Sequence, residues 1–204
     1  LRWDPVSIRR DSIATTPNRF ADPIDTLIDA ARDSLLHLAD ADRRAGLTRC
    51  NEWAVSGVPM LERLATHVVG QAGVLSANDK IDWLIERPDR LFESNVRTEV
   101  IELIEVAAAN APTESLDALA ASVMAPPPLP GARTHETLAH QQARWQLPLL
   151  GAVRRVRSDH AASSAAIDEL ESNHPDLLGL AARALEPRIS GGAISDQPPM
   201  TTEE

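Results

Sequence analysis

Apolar and polar positions recur with a helical period through most of the chain. Ile24, Leu27, Ile28, Ala31, Leu35 and Leu38 follow three- and four-residue spacing and predict an amphipathic helix to about Arg44. Asp22 stands at the N-cap position, and Pro23 suits the first turn, where its missing N–H has no partner to lose. Gly46 is the expected stop. A short helix follows from about Leu47 to Val55, carrying Cys50, Trp53 and Ala54.

The stretch WAVSGVPMLERLATHVV then breaks its own apolar run at Ser56-Gly57-Val58-Pro59. A proline inside one continuous helix costs about 3 kcal/mol. Two helices are cheaper: Gly57 takes the left-handed conformation that closes one, and Pro59 opens the next. The second helix presents Leu61, Leu64, Ala65 and Val68. Further on, Ser76 caps a helix with Asp79 at its third position and Ile81, Leu84 and Ile85 inward, and Pro88 ends it. Val96, Val100, Leu103, Ile104 and Ala107 mark a longer helix. Thr113 is the expected cap of another, with Leu116, Leu119, Ala120 and Val123 inward.

Residues 125–133, APPPLPGAR, form a stiff, extended break, expected to be a long surface loop. Residues 135–158 are helical by pattern and contain Pro148, which predicts a kink or two abutting helices. Ser163 or Ser164 is expected to cap the next helix, with Ile167 and Leu170 inward, and a short last helix covers about Pro175 to Leu185. The organisation expected is an extended entry segment at 1–22, packed through Trp3 and Ile8, a helical-repeat domain at 23–185 and a Gly-, Pro- and acid-rich flexible tail at 186–204.

Composition agrees with this pattern. The chain has 204 residues, no tyrosine and two phenylalanines, so residues that favour strands are thin. The fold class predicted is all-α, with antiparallel helix pairs stacked as a HEAT-like α-solenoid or an irregular helical bundle. Leu61, Leu64, Ala65 and Val68 align with Val100, Leu103, Ile104 and Ala107 at a constant offset of 39. That offset is near the unit length of two-helix HEAT or armadillo repeats. The chain begins at Leu1 without an apolar signal core, and the expectation is a segment of a longer protein. No stretch approaches the roughly 20 apolar residues that cross a bilayer, and the single cysteine fits a reducing, cytoplasmic setting.

Net charge is −10. An acidic balance argues against general nucleic-acid binding, which rests on neutralising phosphates, and leaves room for a local basic groove. Arg154, Arg155 and Arg157, with Arg144 earlier on the same helical stretch, form the densest basic cluster. Salt bridging to acidic helices is the plain explanation, and docking of an anionic partner the sharper one. HETLAH at 135–140 resembles a zinc helix but spaces its histidines five apart, roughly 140° around the helix. His135 and His140 therefore cannot share one metal. His67 is expected to pack as a neutral histidine and Cys50 as a small hydrophobe. The carboxylate pairs Asp40 and Asp42, Glu102 and Glu105, and Asp168 and Glu169 are expected on solvated faces. No motif calls for a cofactor, a metal or a catalytic role.

WAVSGVPMLERLATHVV, LSANDKIDWLIE and LFESNVRTEVIELI, with ESNHPD at 171–176, resemble a run in the helical C-terminal regions of large bacterial sirtuin-like proteins associated with phage defence. The resemblance covers about residues 50–185. Glu62 departs from the family pattern, which has arginine there, and the proline run at 126–130 is longer. The resemblance implies a sensing, scaffolding or assembly region whose NAD-consuming domain lies elsewhere, so no site residue carries over. The function expected is a non-enzymatic scaffold that binds protein, either other domains of its own chain or a partner. A nucleic-acid-contacting domain using the arginine cluster, a divergent helical enzyme that assembles its site from distant residues such as His67 with a carboxylate, and a homo-oligomerisation module are the alternatives.

Overall fold

A computed structural model describes Arg10, residues 12–14, 23–126 and 135–183 of the chain. The described residues are all-α, with nine α-helices and no strand. They are α1 (Pro23–Ala41), α2 (Arg43–Ala54), α3 (Pro59–Gln71), α4 (Ala77–Ile85), α5 (Pro88–Leu91), α6 (Arg97–Ala108), α7 (Thr113–Met124), α8 (His135–Val156) and α9 (Ala161–Asn173), followed by a 3-10 turn at Pro175–Leu177. The expected packing through Trp3 and Ile8, most of the proline-rich loop and the tail from 186 lie outside the described residues. No helix among the described residues is long and apolar enough to cross a membrane.

The helices lie in two rows. The inner row runs α3, α6, α8, each packed on the next. The outer row runs α2, α4, α7, α9: α4 packs on α7, and α7 on α9. α2 and α4 are joined by Arg43 to Asp79 at 2.8 Å and by the Trp83 indole donating to Asn51 at 2.8 Å. α1 covers α2 and α3 at one end. The core between the rows is mostly aliphatic: Val68, Ile81, Leu84, Leu103, Ile104, Leu116, Leu119 and Leu147 are each at most 1 % exposed. Burial of such side chains stabilises by about 1.5–3 kcal/mol each.

The predicted joint between α2 and α3 is present. Gly57 has φ 69°, which a side chain would resist, and Pro59 is the first residue of α3. The Ser56 hydroxyl accepts from the Val58 amide at 3.2 Å, and Glu62 reaches back to accept from the Gly57 amide at 3.1 Å. The predicted cap of α4 is a full capping box. Ser76 Oγ accepts from the Asp79 amide at 3.1 Å, and the Asp79 carboxylate accepts from the Ser76 amide at 2.9 Å.

Hydrogen bonds from Ser76 hold the Asp79 carboxyl below its ordinary value, with a smaller pull from Arg43. A carboxylate with a lowered folded pKa stabilises above its ordinary pKa and loses that contribution as pH falls through the folded value. Ser76→Ala is therefore expected to cost about 1 kcal/mol near neutral pH. The deficit should shrink in acid, as paired urea denaturations at the two pH values would register.

Several local expectations shift. α1 ends at Ala41 rather than Arg44, because Asp42 caps α2 by accepting from the Ala45 amide at 3.0 Å. Gly46 therefore lies inside α2 and stops nothing. The α1 backbone packs directly against it, so that a Cβ at Gly46 would clash with the Cα, Cβ and nitrogen of Ala39. The buried stripe of α1 is Ile28, Arg32, Leu35 and Ala39, while Ile24 and Leu27 are exposed. Arg32 turns inward to bond the Ile13 carbonyl at 3.0 Å. Thr113 is the first helical residue of α7, after Pro112 at the cap position, and makes no capping bond. The cap of α9 is His160, whose Nδ1 accepts from the Ser163 amide at 3.3 Å, rather than either serine. The last predicted helix is reduced to the 3-10 turn and further turns.

α8 runs unbroken through Pro148. A proline has no N–H to offer the carbonyl four residues back, which is that of Arg144. Arg97 supplies a donor instead, its Nη2 lying 3.4 Å from that oxygen while its guanidinium stacks on the Trp145 ring at 4.6 Å.

Candidate functional site

α3 is enclosed on nearly every side. Met60 and all residues from Glu62 to Gly70 are buried, three of them charged or titratable. Glu62 and Arg63 are adjacent in sequence, so they leave the helix on different faces, while Arg63 and His67 are four apart and share one. That face meets Glu99 and Glu102, three apart on α6. The result is a polar seam between two inner-row helices.

Arg63 donates to Glu99 Oε1 from Nε at 2.9 Å and from Nη2 at 2.7 Å. The two side chains are 4 % and 0 % exposed. Glu99 Oε2 has no hydrogen-bond partner among the described residues. Burial pushes the Glu99 carboxyl above the ordinary glutamate value, and the Arg63 guanidinium opposes that shift. A carboxyl so raised contributes most to stability below its ordinary pKa, and that contribution is lost as pH rises through the folded value. One turn on, His67 is buried, its Nδ1 without a hydrogen bond among the described residues and 3.9 Å from Glu102 Oε2.

On the other face, Glu62 collects donors from three places. These are the Gly57 amide, the Asn95 amide group at 2.8 Å and Arg90 Nη1 at 3.1 Å. Arg90 also reaches Glu93 at 2.8 Å. Burial raises the Glu93 carboxyl, Arg90 pulls it back, and the nearby Glu62 and Asp89 carboxylates raise it further. An arginine at position 62 would put a cation beside Arg90, so glutamate is the residue this environment calls for.

The entry segment closes the seam. Arg63 Nη1 donates to the Arg10 carbonyl at 2.6 Å, and the Ser12 hydroxyl donates to Glu102 Oε1 at 3.3 Å. Ile13 is fully buried with Ile28, Met60 and Leu64. Arg10 donates to the Asp29 carboxylate and bonds Asp25 through its Oδ1 at 3.4 Å.

The four arginines of the basic cluster are not one patch. Arg144 and Arg154 are ten residues apart, about 15 Å along a helix. Arg155 donates to Glu105 at 2.6 Å and to the carbonyls of Ala181 and Arg183 at 3.3 Å each, tying the C-terminal turns to α6 and α8. Arg157 lies past the end of α8 and donates to the Ala111 carbonyl at 2.9 Å and to Asp159 at 3.2 Å. Arg144 is exposed and Arg154 half-buried, and neither guanidinium makes a hydrogen bond or ion pair among the described residues.

Glu102 and Glu105 are thus partly buried and engaged rather than solvated. Asp40 accepts from the Gly73 amide at 3.2 Å, and Asp168 and Glu169 are exposed, as expected. The His135 side chain lies outside the described residues. His140 bonds Asp176 at 2.7 Å, with the His174 ring 5.6 Å away edge-on. No group of metal-ligating side chains is found among the described residues. Cys50 is buried, its thiol pushed up to about 12 by that burial, so it stays protonated and unreactive as a small core hydrophobe.

Asp117, His160 and Ser163 have the composition of a hydrolytic triad. His160 Nε2 is 3.1 Å from Asp117, and Nδ1 is 2.9 Å from the Ser163 hydroxyl. A nucleophile must reach substrate, and Ser163 is 0 % exposed. The trio caps α9 and ties it to α7.

The seam was hard to find from sequence, because its partners are 36 residues apart, Arg63 to Glu99. The available signal was an Arg-x-x-x-His face on one apolar helix and a Glu-x-x-Glu face on another. No family model matches the chain, and no curated protein or solved structure is significantly similar to it.

Proposed function

We propose that the chain is a non-catalytic helical scaffold or sensor region that binds protein. In this reading it belongs to a larger bacterial defence protein and regulates an effector attached to it. The observation behind the proposal is the pair of helix rows, α3, α6, α8 inside and α2, α4, α7, α9 outside. HEAT-like arrays stack helix pairs in this way and present an extended face to partners. The 39-residue offset between the stripes of α3 and α6 fits the same reading, since those helices are neighbours in one row. The resemblance of residues 50–185 to sirtuin-like defence proteins supplies the biological setting.

The charges favour protein over nucleic acid as partner. Net charge is −10, and two of the four clustered arginines are committed to the chain's own carboxylates and carbonyls. Purified chain is expected to leave NAD and nucleoside triphosphates intact, while altering NAD consumption by the effector domain joined to it. Robust hydrolysis by the chain alone would overturn this function. Light scattering tests the oligomerisation alternative, for which the exposed Leu27 and Val55 are candidate contacts.

A further inference from the structure

A helix N-cap has to accept a hydrogen bond, and α9 is capped by a group that titrates. His160 Nδ1 lies 3.3 Å from the Ser163 amide and 2.9 Å from the Ser163 hydroxyl. An amide N–H only donates, so Nδ1 carries a lone pair. The ring proton therefore sits on Nε2, which donates to Asp117 Oδ1 on α7 at 3.1 Å. This neutral tautomer satisfies both ring nitrogens at once.

Protonation undoes half of that arrangement. An imidazolium has a proton on each nitrogen and accepts nothing. The Ser163 amide belongs to the first turn of α9 and has no carbonyl of its own helix to bond. Ser163 is 0 % exposed, so water does not replace the lost acceptor. The Ser163 hydroxyl can turn to accept the new Nδ1 proton, which still leaves the amide unsatisfied. Asp117 is the counter-charge to the imidazolium, but its side chain is 54 % exposed while that of His160 is 1 % exposed. Water screens the attraction, and the buried ring takes up its charge away from solvent. The other charged groups near the ring are engaged elsewhere. Asp159 in the turn before α9 pairs with Arg157, Arg155 on α8 with Glu105, and Asp176 of the 3-10 turn with His140.

We propose that His160 is a proton-operated cap: neutral, it holds the first turn of α9 against α7, and protonation in mild acid releases that turn. Histidine is the side chain whose charge changes most readily between about pH 5 and 8. The cap contributes while the ring is neutral and is lost as pH falls through its protonation. α9 packs on α7, α8 and the 3-10 turn, so the device sets how firmly the C-terminal end of the described helices is closed.

The test follows the full chain by NMR between about pH 7.5 and 5. At the upper pH, ring nitrogen shifts should show a protonated Nε2 and a bare Nδ1. As the ring takes up its second proton, protection of the Ser163 amide from hydrogen exchange, corrected for the intrinsic rate, should fall about fivefold, the worth of one N-cap. Amides in the middle of α7 should keep their protection. His160→Asn retains a side-chain acceptor that does not titrate, and Ser163 protection there should not follow pH. Asp117→Asn removes the counter-charge, so the ring titration and the loss of protection should move together to lower pH. A proton on Nδ1 at neutral pH overturns the proposal, as does a ring that stays neutral throughout or Ser163 protection that persists while the ring titrates. If His160→Asn does not fold, Asp117→Asn decides: a loss of protection that stays in place while the ring titration moves would sink the idea.

Discussion

Arg63→Met is expected to lower stability by about 3–5 kcal/mol at neutral pH, because it strands a buried carboxylate. Glu99 would keep no cation within bonding distance among the described residues, and its raised carboxyl would rise further once Arg63 stops opposing its burial. The deficit should shrink as pH falls, since a protonated Glu99 no longer needs its partner. A double variant, Arg63→Met with Glu99→Leu, replaces both charges by apolar groups and should recover most of the loss. Denaturation midpoints of wild type, Arg63→Met, Glu99→Leu and the double variant complete a double-mutant cycle. A single variant within about 1 kcal/mol of wild type would contradict the structural role assigned to the pair, since exposed pairs cost no more than that.

Gly46→Val is expected to cost about 2 kcal/mol through overpacking, despite the better helix propensity of the replacement. The obstacle is backbone: the new Cβ would lie 2.3 Å from the Ala39 Cα and 2.8 Å from its nitrogen. α1 and α2 would have to separate, and α1 carries the Asp25, Asp29 and Arg32 contacts of the entry segment. Gly73→Ala is the control, because a Cβ there meets nothing within 4 Å, and it should be near neutral. If Gly46 were merely a helix stop, valine there would leave the α1–α2 contact intact, and the two variants would differ little.

These two sites show where sequence was informative and where it was not. The stripes of α6, α7 and α9 were legible because each helix buries one face against ordinary aliphatic neighbours. The α2–α3 joint and the Ser76 capping box were legible because turns and caps are local chemistry, written within four residues. Gly46 misled because a glycine inside a helix and one after it look alike until a neighbouring helix is placed against it. Arg32 and Arg63 were hidden because their partners, Ile13 and Glu99, lie 19 and 36 residues away. His160 replaced the expected serine cap because an imidazole nitrogen accepts a backbone N–H as well as a hydroxyl does. Glu62 makes sense only beside Arg90, Asn95 and the Gly57 amide.

Charged residues such as Arg63, Glu99, Arg155 and Arg157 hold the described helices in place, and the proposed function gives the remaining surface to a protein partner. Titration of the full chain with labelled duplex DNA and single-stranded RNA at low ionic strength tests that claim most directly. Low salt favours any phosphate contact the arginines can make. Neither wild type nor an Arg144→Ala, Arg154→Ala variant is expected to show saturable binding, and the two should not differ. Salt-dependent binding in wild type that disappears in that variant would contradict it.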